Sequence, residues 1–251
     1  MRIDHQRTDA VPSPGRRPEA CDQSATGDAN RRGGTAGAPA GEAPGRHFYE
    51  RDAITVARGL VGCRLFRVLP DGSWAGGTIV ETEAYREDDP ASHSFRGPSP
   101  RARVMFGPSG TVYVYLIYGV HECCNIVCEP EGAGAAVLIR AIEPTSGLAW
   151  MRDNRYREAR EACGVKGVHG LASGPGKLCA ALRISRAEHN GRPIQPPAAA
   201  GPGDIVVLAR TSEWIERYGD GAVGCGPRVG IRKAADRPWR FRVEGSPFVS
   251  R

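Results

Sequence analysis

Two strand-like segments, 78–85 and 113–118, restrict the fold of this chain more than any other feature of its sequence. Both are rich in β-branched and aromatic residues and both alternate, which predicts β-strands. Period-two spacing then places four side chains on one face of the first strand: Ile79, Glu81, Glu83 and Tyr85. On the second strand, Tyr113 and Tyr115 share a face. Carboxylates beside tyrosines on a sheet predict a pocket for a flat ring that is uncharged or cationic.

The remaining sequence predicts one mixed α+β domain built on an antiparallel sheet. Asp52 is the predicted N-cap of a helix that ends before Gly62, and the turn residues 70–72 predict a hairpin whose second strand carries Glu83. A second hairpin has its tip near Gly119. Further predicted elements are a strand over 137–142, a helix that begins at Pro144 and becomes charged over 152–161, a short helix after 173–176, a strand over 204–209, and a final strand pair over 228–231 and 239–243.

Residues 1–45 differ in composition from the rest of the chain. They are rich in Gly, Ala, Pro, Arg and Asp and show no apolar periodicity. Such a segment cannot bury enough apolar surface to offset the entropy of ordering. We therefore predict a disordered N-terminal arm over 1–45 and a folded domain over 46–251.

Composition excludes several classes of protein. The eight cysteines form no C-x-x-C pair and follow no secretion signal, which predicts reduced thiols and neither zinc nor an iron–sulfur cluster. No apolar run approaches about 20 residues, so no membrane span is predicted. The net charge of +6 permits a polyanionic partner without requiring one. We further expect a monomer that needs no metal and no cofactor.

Glu83 is the first candidate for catalysis. A carboxylate that shares a face with Tyr85 would be partly desolvated, which raises its pKa and suits a general base acting on water. Glu81 lies on the same face and is a rival base, although a lone Glu on a strand could also be a solvated surface residue. Arg140 ends an apolar run and is expected to pair with Glu83 or Glu143.

The aromatic residues suggest stacking on nucleobases. Tyr118, at the predicted hairpin tip, gains no core packing there, so a wedge between base pairs would explain it. Strand tyrosines can also be ordinary packing residues. His93, in a polar loop, could be an exposed titrating residue, and Asn125 could satisfy a backbone group.

Basic residues suggest contacts with phosphates at three places. Arg101 and Arg103 lie in the long loop over 86–110, and a lysine follows the glycine-rich start of a helix, whose free N–H groups suit an anion. Residues 228–242 hold six cations and one acid, which fits phosphate contacts but can also be a solvated face. The predicted phosphate contacts are Arg101, Arg103, Lys177, Arg232 and Arg240.

A series of linked motifs occurs over about residues 46–250. In one-letter code they are IVETEAY over 79–85, ASH over 91–93, MF over 105–106, YVYLIYG over 113–119, CN over 124–125, VLIRA over 137–141, SGP over 173–175, KLC over 177–179 and GSPFVS over 245–250. Their collinear order closely resembles the 3-methyladenine (alkyladenine) DNA glycosylase family. The arm over 1–45 lies outside this resemblance.

The resemblance implies roles for the residues of the candidate site. Glu83 is similar to the residue that activates the attacking water, with Arg140 beside it. Tyr85 resembles the ring under a flipped base, with His93 and Tyr115 on the other face of that base.

Three further roles and two departures follow from the same resemblance. Tyr118 resembles the wedge that fills the vacated place in the duplex, and Asn125 the residue that crowds the amino group of normal guanine. The backbone near Ile231 matches the position that reads the base edge. In departure from the family, Ala102 stands where a polar Asn is expected, and the segment 129–134 is about two residues longer.

The implied activity is that of a monofunctional DNA glycosylase with a fold like the C-terminal domain of methionyl-tRNA formyltransferase. It would flip alkylated, and also deaminated, purines out of double-stranded DNA and remove them by water attack, which initiates base excision repair. No Lys occupies the matched nucleophile position, so strand cleavage is not expected. The expected place is the cytoplasmic nucleoid in a bacterium or the nucleus in a eukaryote. Two alternatives stay open: a non-catalytic nucleic-acid-binding module on the same fold, and a metal hydrolase that uses Glu81, Glu83 and His93.

Overall fold

One antiparallel sheet carries the strands of the described residues, which are 37–156 and 167–250 of a computed structural model. In chain order the strands are β1 (Arg64–Val68), β2 (Trp74–Tyr85), β3 (Val112–Ile117), β4 (His121–Cys128), β5 (Ala135–Ser146), β6 (Ile205–Leu208), β7 (Val223–Gly226) and β8 (Arg240–Val243). The α-helices are α1 (Arg46–Tyr49), α2 (Ala53–Leu60), α3 (Leu148–Tyr156), α4 (Pro175–Leu182), α5 (Arg186–His189) and α6 (Ser212–Tyr218). The strand order is β3, β4, β5, β2, β1, β6, and β8 joins β7 to β2. The predicted mixed domain on an antiparallel sheet is therefore confirmed.

The predicted N-terminal arm falls mostly on residues 1–36, which lie outside the described residues. Residues 37–45 run past the outer strand β6, where the Ala209 N–H donates to the Glu42 carbonyl over 2.8 Å. The Arg64 guanidinium of β1 donates to the Ala40 carbonyl over 2.6 Å. The disorder of the arm and the boundary at residue 45 stay predictions.

Helix α2 begins where the sequence predicts. Asp52 accepts two N–H groups of the first turn, over 3.1 and 3.0 Å, which satisfies donors that have no partner inside the helix. Glu129, from the turn between β4 and β5, accepts the Ala53 N–H over 2.9 Å. On the buried side, the Thr82 hydroxyl of β2 donates to the Ala57 carbonyl over 2.8 Å. Helix α2 therefore fixes one face of the strand that carries Glu83.

Both predicted hairpins are confirmed. Strands β1 and β2 meet across a turn in which Gly72 has a φ of +79°, a value that glycine adopts without strain. Strands β3 and β4 meet at a tip where Tyr118 and Gly119 have φ values of +54° and +73°. The longer segment 129–134 forms the turn from β4 to β5 and keeps Asn125 opposite Leu138.

The prediction of a helix from Pro144 is wrong. Strand β5 continues through Pro144 to Ser146, and α3 begins at Leu148 after Gly147, whose φ is +66°. Proline is tolerated at bulges, and the register of β2 against β5 shifts at this point. The predicted charged continuation over 157–161 lies outside the described residues.

The predicted final strand pair is also wrong. Strand β8 pairs with β7 (Val223–Gly226) rather than with residues 228–231. The chain cannot stay extended after β7, because Gly230 has a φ of +77° and Arg228 is buried against Asp89. The cations of this region therefore do not share one strand face.

Two bulges interrupt the predicted alternation on β2. The register shifts leave Val80 on β2 and Arg140 on β5 without a partner on the facing strand. Adjacent Ile79 and Val80 both pack in the main apolar cluster, so strict alternation from Ile79 to Tyr85 fails at Val80. Bulges are common beside active sites, where they redirect a side chain. Here the second bulge occurs at Arg140, the predicted partner of the candidate base.

Candidate active site

Glu83 and Arg140 lie on neighbouring strands, β2 and β5, and contact each other. Arg140 Nη1 lies 3.3 Å from Glu83 Oε1. The side chain of Glu83 is not exposed at all, and that of Arg140 is 7% exposed. The predicted pairing of Arg140 with Glu83 is therefore confirmed, and it occurs in a buried environment where charges interact strongly.

Glu83 accepts hydrogen bonds on both carboxylate oxygens. The Val229 N–H donates to Oε1 over 2.7 Å, and the Tyr85 hydroxyl donates to Oε2 over 2.9 Å. Burial raises the pKa of Glu83, and the charge of Arg140 and these two hydrogen bonds oppose that rise without cancelling it. A buried, oriented carboxylate with a raised pKa suits proton abstraction from water.

Glu81 is held differently from Glu83. Its Oε1 accepts from Arg140 Nε over 2.9 Å, from Arg240 Nε over 2.6 Å and from the Ser250 hydroxyl over 2.9 Å. Its Oε2 accepts the Ser250 N–H over 2.7 Å. Glu81 therefore anchors two arginines and the end of the domain, and the geometry favours Glu83 over Glu81 as the base.

A cavity of about 220 Å³ reaches this pair through Tyr85, which lines the cavity and bonds to Glu83. The structure brings all five base-binding residues that the sequence predicted to its wall: Tyr85, His93, Tyr115, Asn125 and Ile231. Met105, Tyr113 and Arg101 also line it. The wall thus combines four aromatic rings with polar groups of Ser92, Arg101 and Asn125, an arrangement that suits a flat ligand whose edge carries hydrogen-bonding groups.

His93, Tyr113 and Tyr115 form one aromatic cluster in this wall. The His93 and Tyr115 rings meet edge to face at 4.5 Å, and His93 Nδ1 lies 2.9 Å from the Tyr113 hydroxyl oxygen. Burial, followed by the charge of Arg101, lowers the pKa of His93 to about 4. His93 is therefore a neutral wall residue near pH 7, not an exposed titrating one, and it does not repel a cationic ring.

Tyr85 belongs to a second stack on the same cavity. The Arg228 guanidinium carbon lies 4.6 Å from the centroid of the Tyr85 ring and 5.2 Å from that of Trp239. Arg228 binds both carboxylate oxygens of Asp89, and both side chains are fully buried. This ion pair supports the Tyr85 ring. The Tyr85 ring and the cluster of His93, Tyr113 and Tyr115 are therefore held in place by separate interactions.

Asn125 lines the cavity and satisfies backbone groups at the same time. Its amide donates to the carbonyls of Tyr113 and Cys123 over 3.0 and 3.2 Å, which fixes the side chain in one orientation. Ala102, the departure from the expected Asn, is fully buried in an apolar cluster with Met105 and Tyr113. That position therefore packs below the wall instead of offering a polar contact.

Tyr118 projects from the tip of the β3–β4 hairpin with 84% of its surface exposed. Its φ of +54° is in the left-handed region, where a bulky residue is strained by about 1–3 kcal/mol. Val120, two residues on, is also exposed. An aromatic ring held outward at a strained tip does not contribute core packing, which agrees with the position expected of a wedge.

Four of the predicted phosphate contacts are exposed: Arg101, Arg103, Lys177 and Arg232. Arg240 differs, because its side chain is only 16% exposed and donates to Glu81 and to the Ser250 carbonyl, the latter over 3.2 Å. A guanidinium committed to these internal partners is poorly placed for a phosphate. The geometry therefore does not favour the predicted contact of Arg240 with DNA.

Sequence reasoning assigned no site role to four residues that complete the site: Asp89, Arg228, Val229 and Ser250. Ser250 ends the motif over 245–250, so that motif was a signal for it. Asp89 and Arg228 are 139 residues apart and carry no local sign of burial. Only the packing of the polar loop against the chain after β7 brings them together.

The described residues do not support a metal hydrolase. Glu81 points to arginines, His93 packs on tyrosines, and this part of the chain has no group of three or more His, Cys, Asp or Glu side chains that could hold a metal ion.

Among the helices of residues 37–156 and 167–250, none combines the length and apolar character needed to cross a membrane.

Comparison with known proteins agrees with this site. The family model described as methylpurine-DNA glycosylase (MPG) matches residues 47–247. A protein of Bradyrhizobium diazoefficiens named "Putative 3-methyladenine DNA glycosylase" is 47% identical over 206 residues, which is 82% of this chain and 90% of that protein. Proteins of the same name are 48% identical in Rhodopseudomonas palustris (82% and 87% covered) and 48% identical in Rhizobium etli (86% and 92%).

This match settles the class of enzyme. The matched region spans nearly all of the domain that holds Glu83, Arg140 and the aromatic cavity. The alternative of a non-catalytic binding module is therefore rejected. The chain belongs to the methylpurine-DNA glycosylase family and is a DNA repair enzyme, a DNA glycosylase that hydrolyses N-glycosyl bonds.

Proposed function

We propose that this DNA glycosylase removes alkylated purines, such as 3-methyladenine, from double-stranded DNA, and that deaminated purines are further substrates. One observation carries the proposal: Tyr85 lines the aromatic cavity and donates its hydroxyl to buried Glu83, beside Arg140. A base flipped onto Tyr85 would bring its glycosidic bond close to a general base.

In the proposed reaction, a lesion base enters the cavity and stacks between Tyr85 and the cluster of His93 and Tyr115. A water held by Glu83 attacks the anomeric carbon as the N-glycosidic bond breaks through an oxocarbenium-like state. The proton of the water passes to Glu83, and the electron pair of the broken bond leaves with the purine. The positive ring of an alkylated purine thereby becomes neutral, whereas a neutral deaminated purine leaves as an anion that takes a proton from solvent water. The charge of Arg140 opposes the effect of burial and keeps more of Glu83 ionised.

The tyrosines and the neutral His93 of the wall support selection of a cationic purine, and they must outweigh the charge of Arg101, which lies 5.1 Å from the centroid of the Tyr115 ring. Tyrosine rings attract a positive ring through their electron-rich faces, and His93 stays neutral because its pKa is lowered to about 4. The fixed amide of Asn125 would crowd the amino group of normal guanine, and the backbone near Ile231 would read the base edge. Selection would therefore combine leaving-group ability with shape.

Contacts with the duplex would come from the exposed side of the domain. Tyr118 would fill the place that the flipped base leaves, and Arg101, Arg103, Lys177 and Arg232 would contact phosphates. We propose a monomer that acts at the bacterial nucleoid in the cytoplasm, since the relatives named above are bacterial. We also propose that the domain has a fold like that of the C-terminal domain of methionyl-tRNA formyltransferase.

Single-turnover assays on duplexes that carry 3-methyladenine, 7-methylguanine or hypoxanthine test the proposed function. We expect free base to appear without strand cleavage, fastest from the alkylated duplexes. Release of none of the three bases by folded enzyme would contradict the proposed substrate class. Strand cleavage coupled to base release would contradict the water mechanism.

The excision rate is expected to rise with pH along a single limb centred above pH 4.5. Glu83 must be ionised to act, and burial raises its pKa from the ordinary value of 4.5. His93 should add no limb near its ordinary value of 6.5, because its pKa is lowered to about 4. Single-turnover rates between about pH 4 and about pH 7 measure this. A limb near pH 6.5 that disappears in His93→Gln would instead assign the base to His93.

Replacing Tyr118 with serine is expected to weaken binding to a lesion duplex about tenfold, which is ~1.4 kcal/mol. Extrusion of a base costs a few kcal/mol of lost stacking, and serine cannot fill the gap. Fluorescence of a reporter base at the lesion should show less extrusion, and the defect should shrink opposite an abasic gap.

Tyr118→Phe is the matched control, because it keeps the ring and should bind as the wild type does. The melting temperature of Tyr118→Ser should stay close to that of the wild type, since the ring is exposed. A large loss of melting temperature with normal extrusion would make Tyr118 a packing residue.

A further inference from the structure

The segment 245–250, which follows β8, returns to the centre of the sheet. Its Ser250 is buried, with 8% of its surface exposed. The Ser250 N–H donates to Glu81 Oε2 over 2.7 Å, and its hydroxyl donates to Glu81 Oε1 over 2.9 Å. The same hydroxyl oxygen accepts from Arg140 Nη2 over 3.0 Å and from Nε over 3.3 Å. A serine hydroxyl has one donor and two acceptor sites, so this one is fully used.

These contacts fix the rotation of the Arg140 guanidinium. Nε is held by Glu81 and by the Ser250 hydroxyl, and Nη2 is held by that hydroxyl. The remaining nitrogen, Nη1, is the one that lies 3.3 Å from Glu83 Oε1. Because the guanidinium is planar and rigid, fixing two of its nitrogens determines where the third one points.

We propose that Ser250 is a positioning residue for excision, whose hydroxyl locks Arg140 so that Nη1 faces the carboxylate of Glu83. This inference rests on the proposed role of Glu83 as general base. The docked segment 245–250 is then part of the catalytic arrangement. It acts through Arg140 and does not touch the substrate. If the role of Ser250 were purely structural, its hydroxyl would hold the segment against the sheet without affecting the excision rate.

Ser250→Ala tests the proposal, because it removes the hydroxyl and leaves the backbone N–H contact with Glu81. We expect the single-turnover excision rate near the midpoint of the pH profile to fall about tenfold. The ascending limb should move to higher pH, since a displaced Arg140 no longer stabilises ionised Glu83. Affinity for the lesion duplex should be unchanged. Ser250→Thr, which keeps the hydroxyl, should restore both rate and midpoint.

Ser246→Ala is the matched control in the same segment. The Ser246 hydroxyl oxygen accepts the Phe248 N–H over 3.3 Å, so its loss should leave the rate and the midpoint unchanged. If Ser250→Ala fails to fold, Ser250→Cys replaces it, because a thiol fills the same space but bonds weakly.

A lowered melting temperature with a wild-type rate and midpoint would overturn the proposal and leave Ser250 structural. Excision by Glu83→Gln at more than about a tenth of the wild-type rate would instead overturn the proposed base. The two failures are thus distinguished by separate variants.

Discussion

Glu83→Gln is expected to lower the single-turnover excision rate by about 10²- to 10⁴-fold, the usual contribution of a positioned general base. Glutamine keeps the shape of the side chain and can still accept the Val229 N–H, which now bonds to Oε1 over 2.7 Å. It cannot take a proton from water. Arg140 keeps its contact with Glu81 over 2.9 Å, so the variant should fold and bind a lesion duplex nearly as well as the wild type.

Glu143→Gln is the matched control for this loss. It makes the same chemical change on β5, opposite Thr78 and outside the cavity, and should excise at the wild-type rate. Both variants are measured by base release with enzyme in excess and by binding to a non-cleavable lesion duplex. If Glu83→Gln keeps more than about a tenth of the wild-type rate, Glu83 is not the base.

The sequence predicted the sheet and the wall of the cavity because both depend on local patterns. Alternation of residue types located β2 and β3. Asp52 predicted the start of α2, because an N-cap residue contacts only the first turn of its own helix. The family motifs then named Tyr85, His93 and Asn125, which all lie at the cavity. These features require no knowledge of distant contacts.

The bulges could not be predicted in this way. A bulge is one extra residue relative to the partner strand, so it is defined by the pairing of two strands and not by the sequence of one. The residue types around Val80 and Arg140 therefore do not mark these two positions as bulges. The pairing of Arg140 with Glu81 depends on that extra residue, and the expected partners were Glu83 and Glu143. The helix was predicted to begin at Pro144 for a similar reason. The register shift beside this proline leaves Thr145 of β5 without a partner on β2, and that shift is visible only once the two strands are paired.

The basic region 228–242 shows the limit of counting charges. An excess of cations predicts a solvated or DNA-facing surface. Two of its arginines have buried acid partners far away in the chain: Arg228 pairs with Asp89 and Arg240 with Glu81. Whether an arginine is exposed therefore depends on acids that a local count does not include.

Asp89→Ala is expected to reduce the free energy of unfolding by about 3–5 kcal/mol, the usual cost of leaving one member of a buried ion pair without its partner. The Asp89 and Arg228 side chains have no exposed surface, so solvent does not screen the charge that remains. Arg228 would keep its contact with the Ala84 carbonyl at 2.9 Å, but it would lose both carboxylate oxygens. Its support of the Tyr85 ring, now at 4.6 Å, should loosen as well.

Urea unfolding measures this loss, and Glu188→Ala is its matched control. Glu188 accepts from Arg67 over 2.6 Å, but its side chain is 40% exposed. Buried Arg67 keeps the Leu182 and Arg183 carbonyls as acceptors when Glu188 is removed, so the cost should be smaller, about 1 kcal/mol. The double variant Asp89→Leu/Arg228→Met should recover much of the stability, because it removes both buried charges together. Its excision rate should stay below that of the wild type, since Tyr85 then lacks the guanidinium beside its ring. Equal unfolding costs for Asp89→Ala and Glu188→Ala would contradict the predicted stabilisation by the buried pair, and a wild-type excision rate of the double variant would contradict its support of the Tyr85 ring.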